Sequence, residues 1–161
     1  MLTGKKIVLG VSGGIAAYKM ANVASMLSKL HADIHVVMTE NATHFITPET
    51  FEVLTGNHCY TDTFDRCMEL HVPHIALGTQ ADAILIAPAS ADVVGKIANG
   101  IADDMLTTCV LPATCPVMLA PSMNVHMYEN PIVQDNMKKL ASYGYEIIEA
   151  DEGYLACRDI G

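Results

Sequence analysis

The sequence predicts an α/β fold in which helices cover both faces of a parallel sheet, giving three layers. Strand-like apolar segments alternate with helix-like segments along the chain, as in folds built from βαβ units. Residues 81–90 (ADAILIAPAS) form a continuous apolar run, which is typical of a central strand buried on both faces. Hydrophobic residues make up 51% of the sequence and charged residues 17%, so both faces of the sheet, or subunit contacts, must bury apolar surface. We therefore expect a Rossmann-like (flavodoxin-like) architecture.

The first predicted unit is a strand over 5–13 followed by an alanine-rich helix over 15–30. Gly13 and Gly14 fall at the junction, where they allow backbone amides to approach an anion at the start of the helix. The spacing matches neither the dinucleotide GxGxxG motif nor the P-loop motif. The segment therefore predicts a generic phosphate site, with a ligand-free glycine turn as the alternative.

The same alternation continues to the end of the chain. Further strands are predicted at 33–39, 81–90, 115–121 and 145–150. Further helices are predicted at 42–56 with a break near Pro48, at 91–100, at 103–111, and at 130–144, where Gly144 ends the helix. We expect 57–70 to be an irregular connection and His74 to start a short turn. Because no repeat or linker is found, residues 1–161 are expected to form one domain.

Ligands of such sheets bind at the carboxyl ends of the strands, so the candidate loops are 10–15, 39–45, 88–93 and 120–126. Thr39 can offer a hydroxyl to the predicted phosphate. Glu40 stands where a dinucleotide-binding fold has its ribose-binding acid, so a nicotinamide cofactor remains an alternative. Ser90 can cap a helix and also face a ligand, whereas Asp103 and Asp104 are equally explained as acids at a helix start.

The charge pattern favours small-molecule chemistry. The net charge of -9 arises from 18 acidic and 9 basic residues scattered without long runs, which argues against nucleic acid or anionic membrane as a partner. Neither a membrane-spanning apolar run nor a signal-peptide cleavage pattern is found, so a cytoplasmic protein is expected. Five cysteines without a CxxC pair and seven histidines without an HExxH motif predict reduced thiols, four of them structural, and no metal site.

Five segments, taken together and in order, resemble the homo-oligomeric flavin-containing cysteine decarboxylases. They are SGGIAAYK, PHIAL, APASADVVGKIANGIADDMLTT, APSMNVHMYENP and GYLACRDIG. The resemblance extends from Gly10 to Gly161 and is strongest to members that convert 4'-phosphopantothenoylcysteine to 4'-phosphopantetheine in coenzyme A synthesis. Such members are often fused to a ligase domain, and the family continues past this point with a glycine-arginine-methionine segment. The resemblance therefore implies a decarboxylase domain truncated at its C-terminal end, with a fused or separate ligase as a possible partner.

The resemblance also implies the cofactor and the site residues. The residues expected to bind FMN are Gly13, Gly14, Ile15, Thr39, Ser90, Ala91, Asp92, Val93 and Ser122. His74 is the expected base, Asn124 the group that binds the substrate carboxylate together with Met127, and Cys157 the proton donor. Ser122 replaces the alanine that is common in the family.

The implied reaction explains these residue types. Loss of carbon dioxide from the substrate would leave a carbanion with no group to accept its charge, and oxidation of the thiol-bearing carbon by FMN supplies that group. Asn124 can orient the carboxylate through a neutral amide donor. Cys157 predicts return of hydride and proton, giving a saturated product. Lys19, Lys96, Arg158 or a neighbouring subunit could hold the substrate phosphate, and the sequence does not choose among them.

Three alternatives remain open at the level of sequence. Some relatives keep the fold and flavin but act as regulatory subunits of phosphatases, and others decarboxylate peptidyl-cysteine and lack the cysteine. A nicotinamide-binding fragment is the third. His74, Asn124 and Cys157 together favour the coenzyme A enzyme. Family precedent implies a trimer, or a dodecamer of trimers, with FMN at subunit contacts and the histidine contributed across the interface.

Overall fold

A computed structural model describes residues 1–65 and 72–149 and shows a parallel sheet flanked by helices. The strands are β1 (Lys6–Val11), β2 (Asp33–Met38), β3 (Cys59–Tyr60), β4 (Ala83–Ala89), β5 (Val117–Pro121) and β6 (Glu146–Ile147). The α-helices are α1 (Met20–Lys29), α2 (Pro48–Thr55), α3 (Pro73–Gln80), α4 (Ala91–Ala98), α5 (Met105–Val110), α6 (Val125–Tyr128) and α7 (Pro131–Ser142). Two 3-10 helices, Ile15–Lys19 and Glu40–His44, complete the set. Among these residues, no helix combines the length and apolarity needed to cross a membrane.

The sheet has the doubly wound order β3-β2-β1-β4-β5-β6, and all its described pairs are parallel. This order confirms the predicted Rossmann-like class. The chain builds outward from β1 to β3 and then returns to add β4 on the other side of β1. The crevice expected for ligands therefore lies between the carboxyl ends of β1 and β4.

Two apolar clusters cover the two faces of the sheet. Successive residues of β1 point to opposite faces, so Val8 packs in one cluster with Ile86 of β4, and Leu9 packs in the other with Phe51 of α2. All four side chains are fully buried. The prediction that the 81–90 strand is buried on both faces is confirmed, because Ile86 lies in the first cluster and Leu85 packs against the second.

Four local predictions need correction. The short turn expected at His74 is wrong, because Pro73 occupies the first turn of α3, a position where its missing N–H costs nothing. The connection predicted as irregular contains β3, which has only two residues and so leaves no sequence pattern. The helix predicted over 15–30 begins as the 3-10 helix Ile15–Lys19, and the described part of the predicted strand 145–150 pairs only at Glu146–Ile147.

Ser12 joins the two central loops directly. Its hydroxyl donates to the carbonyl oxygen of Pro88 at 2.6 Å and accepts from the backbone N–H of Ser90 at 2.9 Å. The side chain is fully buried, so these hydrogen bonds satisfy groups that have lost their water. The loop after β1 is thereby fixed against the loop after β4.

Candidate functional site

A cleft of about 430 Å³ lies at the carboxyl ends of β1, β2 and β4. Its lining residues are Gly13, Thr39, Glu40, Asn41, Ser90, Ala91, Asp92, Val93, Lys96, Asp103, Asp104 and Met127. They come from loops far apart in sequence and meet because parallel strands present their carboxyl ends at one edge. The cleft is the place where most of the predicted cofactor residues converge.

Position 13 has no room for a side chain, so only glycine fits there without a shift of its neighbours. A methyl group on its Cα would lie 2.5 Å from Cβ of Asn41, much closer than van der Waals contact allows. Gly14 differs, because the same methyl group there would meet no atom within 4 Å. Gly14 and Ile15 start the 3-10 helix without lining the cleft. Of the two glycines, it is therefore Gly13 that lies against the loop after β2.

Two hydroxyls in the cleft act as helix caps. The oxygen of Thr39 accepts from the backbone N–H of Ala42, and that of Ser90 accepts from the N–H of Val93, each at 3.3 Å. The capping role predicted for Ser90 is confirmed. Neither hydroxyl hydrogen has an acceptor among the residues that the structure describes, so both O–H groups can donate to a bound ligand.

The charged side chains of the cleft are mostly acidic. Lys96 lies with its Nζ 3.2 Å from carboxylate oxygens of both Asp92 and Asp103. Partial burial lowers the pKa of Lys96, but the hydrogen bonds and charges of the two aspartates outweigh it and hold the pKa above its ordinary value. Asp104 instead forms a capping box with Thr107 at the start of α5. Helix capping thus accounts for Asp104, whereas Asp103 pairs with Lys96.

Asn124 occupies the corner between β5 and α6. Its side-chain oxygen accepts from the backbone N–H of His126 at 2.9 Å, which caps α6. With that oxygen committed, the NH₂ group has no acceptor among the described residues. One turn later, Met127 lines the cleft. Ser122, whose N–H donates to the carbonyl of Ala89 at 3.0 Å, lies at the same corner but not in the cleft lining.

His74 lies in the first turn of α3, away from the cleft lining. The end of α3 lies near the start of β1, where Lys6 Nζ donates to Gln80 Oε1 at 3.2 Å. The start of α3 is therefore directed towards the carboxyl edge of the sheet. His74 Nδ1 is buried without a hydrogen-bond partner among the described residues. Cys157, the predicted proton donor, lies outside the described residues 1–65 and 72–149.

Comparison with known protein families gives a match that covers the whole chain. The model of the family described as Flavoprotein matches residues 1–161. The chain belongs to this flavoprotein family.

Curated and solved flavoproteins extend this match. The Bacillus subtilis coenzyme A biosynthesis bifunctional protein CoaBC is 50% identical over 161 residues, which is 100% of this chain but 40% of that protein. The chain thus spans well under half the length of that relative. A Streptococcus mutans protein named "Probable phosphopantothenoylcysteine decarboxylase" is 44% identical over 98% of this chain and 89% of its own length. The structure of the FMN-dependent cysteine decarboxylase SpaF superposes with a TM-score of 0.88 at 38% identity, covering 95% of this chain and 88% of SpaF.

The flavoprotein cleft contains one lining residue that the sequence did not single out. Asn41 falls inside the candidate loop 39–45, but no motif marks it. Its contact with Gly13 requires the two loops to meet, which no local pattern encodes. Glu40 and Lys96 were identified for other roles, and both line the cleft.

The described cysteines agree with a structural role. Burial raises the pKa of Cys59 and of Cys109 to about 12, so both thiols stay protonated and unreactive at neutral pH. Cys115 is half-buried, and burial raises its pKa as well.

Proposed function

We propose that this chain binds FMN in the cleft and decarboxylates 4'-phosphopantothenoylcysteine to 4'-phosphopantetheine. The observation that carries the proposal is the corner at Asn124, where the helix cap holds the amide oxygen and leaves the NH₂ group without an acceptor among the described residues, one turn before the cleft residue Met127. The names of the Streptococcus mutans and SpaF proteins support the reaction class and the cofactor.

The cleft residues fit FMN. The volume of about 430 Å³ lies within the range of about 300–1,000 Å³ usual for cofactor pockets. Gly13 lets the loop backbone approach a phosphate, and Thr39 and Ser90 keep O–H donors for polar groups of the ligand. FMN, when bound, supplies a hydride acceptor that makes loss of carbon dioxide feasible.

The protein side chains bind and orient the substrate. The Asn124 amide donates to the substrate carboxylate and orients it. Because the amide is neutral, it forms no ion pair that would stabilise the carboxylate and so oppose the loss of carbon dioxide. His74 Nδ1, which is buried and has no hydrogen-bond partner among the described residues, is the atom proposed to accept the proton that the substrate thiol would release when its carbon is oxidised. Cys157 is proposed to donate a proton to the reduced product.

The position of His74 supports an oligomeric site. His74 does not line the cleft of its own chain, so we propose that it acts in the cleft of a neighbouring subunit within a trimer or a dodecamer of trimers.

The function is tested with a visible spectrum of the purified protein, followed by anaerobic addition of 4'-phosphopantothenoylcysteine and mass analysis. Flavin bands and formation of 4'-phosphopantetheine are expected. Flavin without loss of carbon dioxide would support a non-catalytic FMN-binding subunit. No flavin after reconstitution with FMN would contradict the proposal.

The role of Asn124 is tested by Asn124→Asp. An aspartate oxygen can still cap α6, so the fold and FMN should be retained, but its charge repels the substrate carboxylate, and carbon dioxide release should fall below detection in an anaerobic assay. Asn130→Asp is the matched control, because Asn130 caps α7 in the same way, accepting from Ile132 N at 2.9 Å, and is not one of the proposed site residues. Full turnover by Asn124→Asp would refute the assignment. His74→Asn should likewise lose turnover and keep FMN.

A further inference from the structure

The ends of the two central strands are joined by a side chain where the sheet ladder stops. The described pairing of β1 with β4 ends at Gly10 and Ile86, and β4 shifts its register against β5 just beyond that point. There the Ser12 hydroxyl donates to the Pro88 carbonyl at 2.6 Å and accepts from the Ser90 N–H at 2.9 Å. The Ser12 N–H adds a longer bond to the same carbonyl, at 3.3 Å. Among the residues that the structure describes, Ser12 thus supplies the hydrogen bonds between these strand ends beyond the ladder.

The Ser12 hydroxyl is not itself placed to bind a ligand. Its side chain is fully buried and does not line the cleft. A hydroxyl has a single hydrogen to donate, and that hydrogen is already given to Pro88. Any effect of Ser12 on a bound ligand must therefore act through the residues that it holds.

The residues held by Ser12 face the cleft. Gly13 follows it directly in the chain, and both Gly13 and Ser90 line the cleft. The N–H of Ser90 is bound to Ser12, its hydroxyl oxygen accepts from Val93 at 3.3 Å, and its carbonyl accepts from Val94 at 3.0 Å. Only the hydroxyl hydrogen of Ser90 is left to donate to a ligand. Ser12 therefore fixes the position of this donor relative to the glycine loop.

A fixed spacing favours a ligand that reaches both loops. Once one part of such a ligand is bound, the second contact becomes intramolecular, and its strength depends on whether the two binding groups match the span. Groups that are already held in place also lose less conformational freedom on binding. Release of Ser90 from the glycine loop would reduce this gain although no direct ligand contact is removed.

We propose that Ser12 is a positioning residue of the cleft, whose two side-chain hydrogen bonds set the spacing of Gly13 and Ser90 so that one flavin nucleotide contacts both loops at once. The inference rests on the proposed function and concerns a residue that touches no ligand. Loss of the hydroxyl weakens a ligand that spans both loops more than it weakens a ligand that reaches only one.

The test compares FMN with riboflavin, which lacks the phosphate and so does not reach the glycine loop. Apoprotein is titrated with each flavin, and the dissociation constant is taken from quenching of flavin fluorescence. Ser12→Ala removes both side-chain hydrogen bonds and should raise the dissociation constant of FMN by about tenfold or more. That of riboflavin should rise by less than about threefold, because a ligand with one contact gains little from the spacing.

The control separates positioning from a general loss of stability. Ser28 Oγ donates to the Leu54 carbonyl at 3.1 Å and joins α1 to α2, and neither residue lines the cleft. Ser28→Ala therefore also loses a serine hydrogen bond between distant segments, but it should change neither flavin affinity. Urea unfolding curves measure the stability of each apoprotein beside its affinities.

Two further variants of Ser12 test the hydroxyl itself. Ser12→Thr retains the hydroxyl and should bind FMN more tightly than Ser12→Ala. Ser12→Cys keeps a side chain of similar shape but donates and accepts only weakly, so its affinity for FMN should also fall more than its affinity for riboflavin. The thiol variant takes the place of Ser12→Ala if the alanine variant does not fold.

Other outcomes overturn the inference. An unchanged FMN affinity in Ser12→Ala, or an equal loss of affinity for both flavins, would show that Ser12 does not set the spacing of the two loops. An equal effect of Ser28→Ala on FMN, or no recovery in Ser12→Thr, would exclude a specific role of the hydroxyl. Equal affinity of wild type for the two flavins would refute the inference while keeping the flavin assignment. Binding of neither flavin by wild type would refute the proposed function as well.

Discussion

Three side chains around the cleft use an oxygen atom to cap a helix and keep their hydrogens for other partners. Thr39, Ser90 and Asn124 each accept one backbone N–H. Because a hydroxyl or carboxamide can donate while it accepts, the cap fixes the orientation of the group without using its donor. The local structure thus prepares donors at positions where a ligand with phosphate and carboxylate groups would need them.

A prediction at the residue scale concerns Gly13 and Gly14. Gly13→Ala should lower the free energy of unfolding by about 1–3 kcal/mol, as overpacking usually does, because the new methyl group would lie 2.5 Å from Asn41 Cβ. Gly14→Ala should stay within about 0.5 kcal/mol of wild type, since its methyl group meets no atom within 4 Å. Urea unfolding of both variants measures the difference. Equal stabilities would show that the loop can shift away from Asn41.

At the scale of elements, His58 joins α2 to the turn after β3. Its Nδ1 lies 2.8 Å from Glu52 Oε1 on α2, and its Nε2 lies 2.6 Å from Asp65 Oδ2 in the turn. The ring edge also contacts Tyr60, with centroids 4.9 Å apart. Both ring nitrogens can donate to a carboxylate only when the imidazole is protonated. The link between helix and turn therefore depends on the charge of His58.

The stability of this link should depend on pH. Partial burial lowers the pKa of His58, but the hydrogen bonds and charges of Asp65 and Glu52 outweigh it and raise the pKa above the ordinary 6.5. The raised value means that the stabilisation is complete below 6.5, where the unfolded chain is protonated too, and is lost as pH rises through the folded pKa. In urea unfolding, wild type should therefore lose stability as the pH rises from the ordinary histidine pKa of 6.5 through the raised pKa of folded His58.

The control for this prediction is a pair of histidine variants. His58→Gln should remove the part of the pH dependence that belongs to the link. His44→Gln should retain it, because His44 is exposed and has no carboxylate partner among the described residues. An identical pH profile in wild type and His58→Gln would show that the link contributes nothing to stability.

At the scale of the whole molecule, the strand order decides where the site lies. The crevice opens where β1 and β4 are neighbours although β2 and β3 separate them in sequence. A ligand in this crevice contacts loops from both halves of the sheet, since Gly13 and Thr39 precede the crossover and Ser90 and Met127 follow it. Ligand binding is therefore expected to stabilise the fold as a unit.

The corresponding prediction is a shift in thermal stability. FMN at about 100 times its dissociation constant should raise the free energy of unfolding by about 2.7 kcal/mol, because it binds the folded and not the unfolded chain. Differential scanning calorimetry of apoprotein with and without FMN measures the shift. An unchanged melting temperature at saturating FMN would contradict binding to the folded state.

The strands and most helices could be predicted because their signals are local. The run around Ile86 and the junction at Gly13 carry patterns that are visible in a few consecutive residues. The helix α3 was not predicted, because Pro73 suggested a turn. The strand β3 was not predicted, because two residues are too few to show the alternation of side chains that is typical of a strand. The resemblance pointed to Thr39, Ser90–Val93 and Met127, and the cleft brings them together.

The sequence by itself determined the layered α/β class. The alternation of strand-like and helix-like segments, and the glycines at their junctions, are patterns of consecutive residues. Only the tertiary structure decided that Asn41 lies against Gly13 and that Asp103 joins Lys96, whose other partner, Asp92, lies one turn earlier in the same helix. Contacts between loops depend on strand order and register, which bring distant segments together at one edge of the sheet. No local pattern encodes that arrangement, so the charge and the free donors of the cleft follow from the fold.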